Sequence, residues 1–270
     1  MKSNYKLYKC PKCKLVYVWP IPKELDSIYK KDYFKAGSEK TEFGYTDYDL
    51  DKEPMKKIFT DFLIGIENFV KKKTIFDVGV ATGYFLDIAI NRGWQTAGVE
   101  ISQYASKLAR SKGHEVSTGD LESIDVQAKF DLITMWDVLE HLSNPKLSLK
   151  KANQMLVKAG LLIINTIDKN SFWARLWGKK WHLIIPPEHL YYFSFKNLEI
   201  LLKDTGFKIL ITKKIVKKFS LSYICRVLYH KLNFRILYFL SRFFNTSLWR
   251  KISLPINLRD NIYIIAKKSE

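Results

Sequence analysis

TIFDVGVATGYFLDIAI, residues 74–90, begins as a buried strand and ends as a helix. Thr74, Ile75, Phe76 and Val78 are β-branched or aromatic, as a strand covered on both faces requires. Gly79 and Gly83 then permit a tight turn and let a ligand come close to the backbone. A dinucleotide-phosphate loop would read G-x-G-x-x-G. Here the order is Asp77-Val78-Gly79-Val80-Ala81-Thr82-Gly83, that is D-x-G-x-x-x-G. An acid at the strand tip repels phosphate and favours a cationic ligand that carries an amino group.

Strand and helix signals alternate on either side of this turn. A helical pattern opens at Pro54 and runs to Val70. TAGVE (96–100) is a second strand, and Ser102 caps the helix that follows (103–112). HEVSTG (114–119), FDLITMWD (130–137), GLLIINT (160–166), FKILITKKI (207–215) and NIYIIA (261–266) supply the remaining strands. Pro145 opens a helix through Val157, and Ser194 caps another that ends near Gly206. This alternation predicts a Rossmann-like α/β fold: a seven-stranded, mostly parallel sheet with helices on both faces. A helical insert, 216–258, precedes the last strand. Residues 1–51 read as an N-terminal extension, rich in Tyr and Lys and broken by Pro11, Pro20 and Pro22. Residues 52–270 read as the main domain.

Acids stand at three successive strand ends: Asp77, Glu100 and Asp120. Open α/β sheets bind ligands at that edge. Glu100 can accept from a ribose diol, and Asp120 from an adenine amino group with Leu121 against the ring. On these motifs the chain resembles the class I S-adenosylmethionine (SAM)-dependent methyltransferases over about residues 53–215 and the final strand. The resemblance implies SAM as cofactor. It places Asp77, Gly79, Val80, Ala81, Thr82 and Gly83 at the methionine part, Glu100 and Ile101 at the ribose, and Asp120 and Leu121 at the adenine. It also places Met135, Trp136 and Asp137 at the entrance to the active site. Val80-Ala81-Thr82 departs mildly from the triplet many members carry.

DVLEHLSNP (137–145), PPEHLYYFS (186–194) and LLKDTGF (201–207) resemble a subgroup of small-molecule and sugar methyltransferases. That likeness implies a small-molecule or glycan acceptor, first of all a sugar hydroxyl in cell-surface polysaccharide biosynthesis. A lipid-linked or quinone-like acceptor at the membrane is the alternative. In that subgroup two C-x-x-C pairs can form a zinc knuckle; only one pair, Cys10 and Cys13, is present, two of the four ligands tetrahedral zinc needs. The other reading is a turn with two ordinary thiols.

A hydroxyl acceptor profits from a general base. His141 is the first candidate, because imidazole titrates near neutrality and this one follows the fourth strand. The alternative is a helix-start histidine bonded to backbone. His182 and His189 come next, in an aromatic segment with Trp177, Trp181, Tyr191, Tyr192 and Phe193. That segment reads either as acceptor pocket and lid or as a packed structural loop. Asp137, Glu140 and His141 form a D-x-x-E-H cluster like one that binds a divalent cation in ubiquinone-pathway O-methyltransferases. Adjacent residues diverge on a helix, which weighs against it, so no metal is assigned.

The formal net charge is +18, and from Leu201 onward 15 Lys+Arg stand against 3 Asp+Glu. Such a field attracts an anionic partner. Within the insert, Arg226, Lys231, Arg235 and Arg242 alternate with aromatic and aliphatic residues at helical spacing. The insert therefore either lies on an anionic membrane or packs over the acceptor site. Nucleic acid is disfavoured: a base-methylating enzyme would carry an N-P-P-Y or D-P-P-Y tetrapeptide where this chain has Asp137-Val138-Leu139-Glu140. A non-catalytic SAM-binding scaffold would have no need of all three acids, and the glycine spacing disfavours a nicotinamide enzyme. Three cysteines are too few for a disulfide framework, and the N-terminus lacks the apolar core of a signal peptide. A cytoplasmic protein is expected, peripheral to the inner membrane face if the insert binds lipid.

Overall fold

The computed structural model describes residues 5–22, 24–35, 45, 47–214, 217–232, 234–246, 249, 252–256 and 259–269. In chain order the elements are β1 (Lys6–Lys9), β2 (Val16–Trp19), α1 (Lys31–Phe34), α2 (Tyr48–Lys52), α3 (Lys56–Glu67), β3 (Thr74–Val78), α4 (Tyr84–Ile90), β4 (Gln95–Glu100), α5 (Gln103–Ser111), β5 (Glu115–Thr118), β6 (Phe130–Trp136), α6 (Pro145–Met155), β7 (Leu156–Ile167), α7 (Phe172–Trp177), β8 (Tyr191–Tyr192), α8 (Phe195–Asp204), β9 (Phe207–Lys213), β10 (Lys217–Ser220), α9 (Leu221–Leu232), α10 (Arg235–Phe244), β11 (Ser253–Ile256) and β12 (Asn261–Lys268).

All seven predicted strands join one sheet in the order β5-β4-β3-β6-β7-β12-β9. Neighbours from β5 to β7 are parallel, whereas β12 runs antiparallel to both β7 and β9. Alternate residues feed two apolar layers. Phe76, Val78, Ile133, Met135, Leu162 and Ile164 meet Leu149, Ala152, Leu198 and Leu202 of α6 and α8. Ile75, Leu132 and Ile163 meet Phe59, Leu63, Leu86 and Ala109 of α3, α4 and α5 on the other face. Burial on both faces explains the near-continuous apolar runs of β3, β6 and β7.

The helix starts follow their caps. The Ser102 hydroxyl accepts from the Ala105 amide at 3.3 Å. Asn144 caps α6 with Pro145 in the first turn, and Ser194 forms a capping box with Asn197. Two small sheets were absent from the sequence reading. β1, β2 and β8 form one, with Val16 opposite Tyr192, and β10 and β11 form the other. The sixth strand ends at Lys213, and Ile215 lies outside the described residues.

Candidate functional site

The chain order reverses between β3 and β6, since β4 and β5 lie on one side and β7 on the other. Such a switch point leaves a crevice beyond the strand carboxyl ends. A cleft opens there, with about 830 Å³ of space, part of it continuous with solvent. From the sheet edge come Gly79, Ala81, Glu100, Ile101, Asp120, Leu121, Trp136, Asp137 and His141. Nine of the residues expected at the site thus line one cavity.

Glu100 is buried and organises the turn. One carboxylate oxygen accepts from the Ala81 amide at 2.8 Å, the other from the Ser102 amide at 2.8 Å. The first bond holds Ala81 at φ 52°, a left-handed conformation that costs a residue with a Cβ. Burial raises the Glu100 pKa, while its bonds from the Ser102 and Ala81 amides oppose this. Gly79 has φ 77°, and a Cβ there would sit 2.5 Å from a Val138 methyl. Only glycine meets both conditions.

Five residues expected at the cofactor stand outside the cleft lining. Asp77, Val80, Thr82, Gly83 and Met135 do not line the cleft. The Asp77 carboxyl is buried beneath the turn and accepts from the Thr134 hydroxyl at 2.5 Å. Strand alternation is the reason, because Asp77 and Thr134 pair across β3 and β6. Val80 belongs to the core layer with Leu86, and Met135 is fully buried in the opposite layer. The Thr82 hydroxyl bonds Asp49. Gly83, at φ 88°, precedes α4, and a Cβ there would meet the His114 ring at 2.7 Å.

Burial, with help from the Glu100 charge and against the Thr134 hydrogen bond, pushes the Asp77 pKa from 3.8 to about 8. The folded chain therefore holds a proton that the unfolded chain has released. The stability tied to that proton is present at low pH and is lost as pH rises through about 8. Asp77→Asn imitates the neutral acid. Thermal melts of the ligand-free protein from about pH 5 to about pH 9 are expected to show the variant gaining on wild type as pH rises. Parallel curves would show that Asp77 is ionised in the fold.

His141 lines the cleft near the start of the β6–α6 connection. Its Nδ1 lies 2.8 Å from the Glu188 carbonyl oxygen and 2.9 Å from the Tyr29 hydroxyl. A carbonyl can only accept, so Nδ1 carries a proton there. The other two histidines do not reach the cleft. His189 is buried behind His141, ring centroids 4.8 Å apart, with Nδ1 on the Leu183 carbonyl at 2.8 Å. His182 Nε2 lies 3.3 Å from Asp260. The aromatic segment after β7 supports the site from behind: no residue of 172–193 lines the cleft.

The missed part of the site is the far wall. Leu25, Tyr29, Tyr33, Phe34, Tyr45, Tyr48 and Lys52 come from the N-terminal segment and its junction with the main domain. The Tyr33 hydroxyl donates to Glu188 at 2.8 Å, and burial holds the Tyr29, Tyr33 and Tyr48 phenols well above their usual pKa. The Lys52 ammonium lies 5.4 Å from the Tyr45 and Tyr48 ring centroids and 3.9 Å from Asp137. Seven tyrosines among the first 51 residues were the available signal.

Glu140, His141 and His189 each bring one ligand-type atom within 4.8 Å of the others, the only such group of three or more among the described residues. Asp137 is not in it, contrary to the D-x-x-E-H expectation; it accepts from Asn165 at 2.5 Å. Cys10 and Cys13 lie at the turn between β1 and β2, with no third ligand among the described residues.

The chain shares 28% identity over 177 residues with Uncharacterized protein MJ1123 of Methanocaldococcus jannaschii, covering 64% of this chain and 83% of that protein. It is 29% identical to the Ubiquinone biosynthesis O-methyltransferase of Idiomarina loihiensis over 53% of this chain, and spans only 61% of that enzyme. In fold it resembles magnesium protoporphyrin IX methyltransferase from Synechocystis PCC 6803, with TM-score 0.56, 14% identity and coverage of 90% of this chain and 99% of that one. The family model described as a methyltransferase domain matches residues 50–211, more than half of the chain. With its sheet, switch-point cleft and matched span, the chain belongs to the class I SAM-dependent methyltransferases.

Proposed function

We propose that this protein is an O-methyltransferase acting on a hydroxyl of a small molecule or glycan, with His141 as general base. The observation that carries the reading is an imidazole that lines the same cleft as Glu100 and Asp120 and is held at Nδ1 by a backbone carbonyl. The donor side of the cleft fits SAM by its chemistry. The Glu100 carboxylate, held by backbone amides, lines the cleft as an acceptor for a ribose hydroxyl. Asp120 stands at the rim for an amino group, and Ile101 and Leu121 supply apolar walls for a base. When bound, SAM supplies a methyl on a sulfonium, whose C–S bonding pair passes to sulfur as the new C–O bond forms. The chain then has two tasks: the tyrosine wall aligns the acceptor, and the His141 imidazole takes the hydroxyl proton.

A sugar hydroxyl is the first acceptor class. Aromatic faces pack against sugar C–H groups, and phenols bond their hydroxyls. A phenol of the quinol type is the second, favoured by the O-methyltransferase relative. A divalent cation held by Glu140, His141 and His189 is the rival use of the imidazole, favoured by their grouping. The deciding assay supplies methyl-labelled SAM with panels of glycosides, nucleotide sugars, catechols and amines, before and after exhaustive chelation. Label on oxygen, unaffected by chelation, is the expected result. Label on nitrogen or carbon alone would overturn the reading, and turnover lost on chelation and restored by Mg²⁺ would replace the base with the ion.

A further inference from the structure

The insert forms a helical hairpin, α9 against α10, closed at its base by the antiparallel pair β10–β11. The Ser222 hydroxyl donates to the Ser241 carbonyl at 2.9 Å, so one side of α10 faces its partner helix. Another side of α10 carries its most exposed apolar residues. Ile236, Phe239 and Phe243 are 63%, 64% and 51% exposed. Their spacing of three and four residues makes them one stripe along the helix. Phe234, Trp249, Ile252 and Leu254 extend the exposed apolar surface beyond its ends. Arg235 and Arg242, one heptad apart and both exposed, run along one edge of the stripe.

Charge identifies what covers this surface. Residues 205–259 contain 12 Lys+Arg and no Asp or Glu. Two copies meeting on this face would bring like charges together, which opposes self-association. An anionic bilayer satisfies both features at once: the aromatic stripe enters the headgroup–acyl boundary, and the arginines reach the phosphates. Among the described residues no helix is long and apolar enough to cross a membrane, so contact is in the plane of the surface.

We propose that α10, carried by the insert, is a membrane-interface helix that seats this protein on anionic phospholipid. β10, at the base of the hairpin, packs beside residues 53–55, directly after Lys52 of the cleft wall.

The test is flotation of the full-length protein with phosphatidylcholine vesicles, with and without phosphatidylglycerol. Wild type is expected to float with the phosphatidylglycerol vesicles and to partition at least tenfold less onto phosphatidylcholine alone or in high salt. Phe239→Ser/Phe243→Ser and Arg235→Glu/Arg242→Glu should each lower partitioning at least tenfold while melting like wild type. Should either pair fail to fold, quenching of Trp fluorescence by brominated phosphatidylglycerol, compared between wild type and Trp249→Phe, reads insertion directly; a smaller quenched fraction in the variant is expected. Wild type that stays in the dense fraction, equal binding to neutral vesicles, or a dimer abolished by the phenylalanine pair without any flotation would each overturn the proposal.

Discussion

His141→Gln is expected to lower turnover at saturating acceptor by about 10²- to 10⁴-fold. Affinity for S-adenosylhomocysteine should stay within about a factor of two, because the lost interaction belongs to the transition state. Glutamine keeps a polar side chain of similar reach but has no lone-pair nitrogen to take a proton. The imidazole is set for this by its surroundings. The Glu188 carbonyl holds Nδ1 at 2.8 Å, and the Tyr29 hydroxyl lies 2.9 Å from the same atom. The His189 ring packs edge-on against the His141 ring, centroids 4.8 Å apart, with its own Nδ1 held by the Leu183 carbonyl. Single-turnover kinetics with labelled SAM, beside calorimetric titration of S-adenosylhomocysteine, separate the two quantities. Near wild-type turnover in the variant would leave the cleft without its base.

Glu100→Gln is expected to weaken S-adenosylhomocysteine binding at least tenfold, about 1.4 kcal/mol. Two effects act together. A ribose diol would lose a charged acceptor for a neutral one. The turn would also lose its clamp: both carboxylate oxygens accept backbone N–H groups, from Ala81 and Ser102, and an amide offers only one oxygen. Its NH₂ would then face an N–H donor. Ala81, held left-handed by that bond, is free to relax and moves the wall of the cleft. Calorimetry on the folded variant, checked by circular dichroism, measures the loss. Wild-type affinity would place the donor elsewhere in the cleft.

How far the sequence carried is clearest residue by residue. Glu100, Asp120, Trp136 and Asp137 could be placed at the crevice because each ends or follows a strand with strong β composition. Asp77 shows the limit of that reasoning. Its position at a strand end was legible, but its carboxyl turns beneath the loop to Thr134, a residue 57 positions away. The sequence ranked His141 ahead of His182 and His189 as a base only by its place after the fourth strand. Which one faces the cavity depends on the packing of the 178–193 segment behind β7, and only His141 does so.

Local and periodic information, then, determined the seven strands, the glycine turn and the capped helices. Each of these is a short-range pattern of burial, conformational preference or capping, written within a dozen residues. Tertiary structure alone decided the far wall of the cleft. Tyr29, Tyr33, Tyr45 and Tyr48 lie between 50 and 120 residues from His141 and Glu100, and no periodicity links them. The pairing of β2 with β8, long-range and only two residues wide, anchors that segment beside the main domain. Contacts of that kind are fixed by packing and loop closure, which leave no repeat in the chain for a reader to follow.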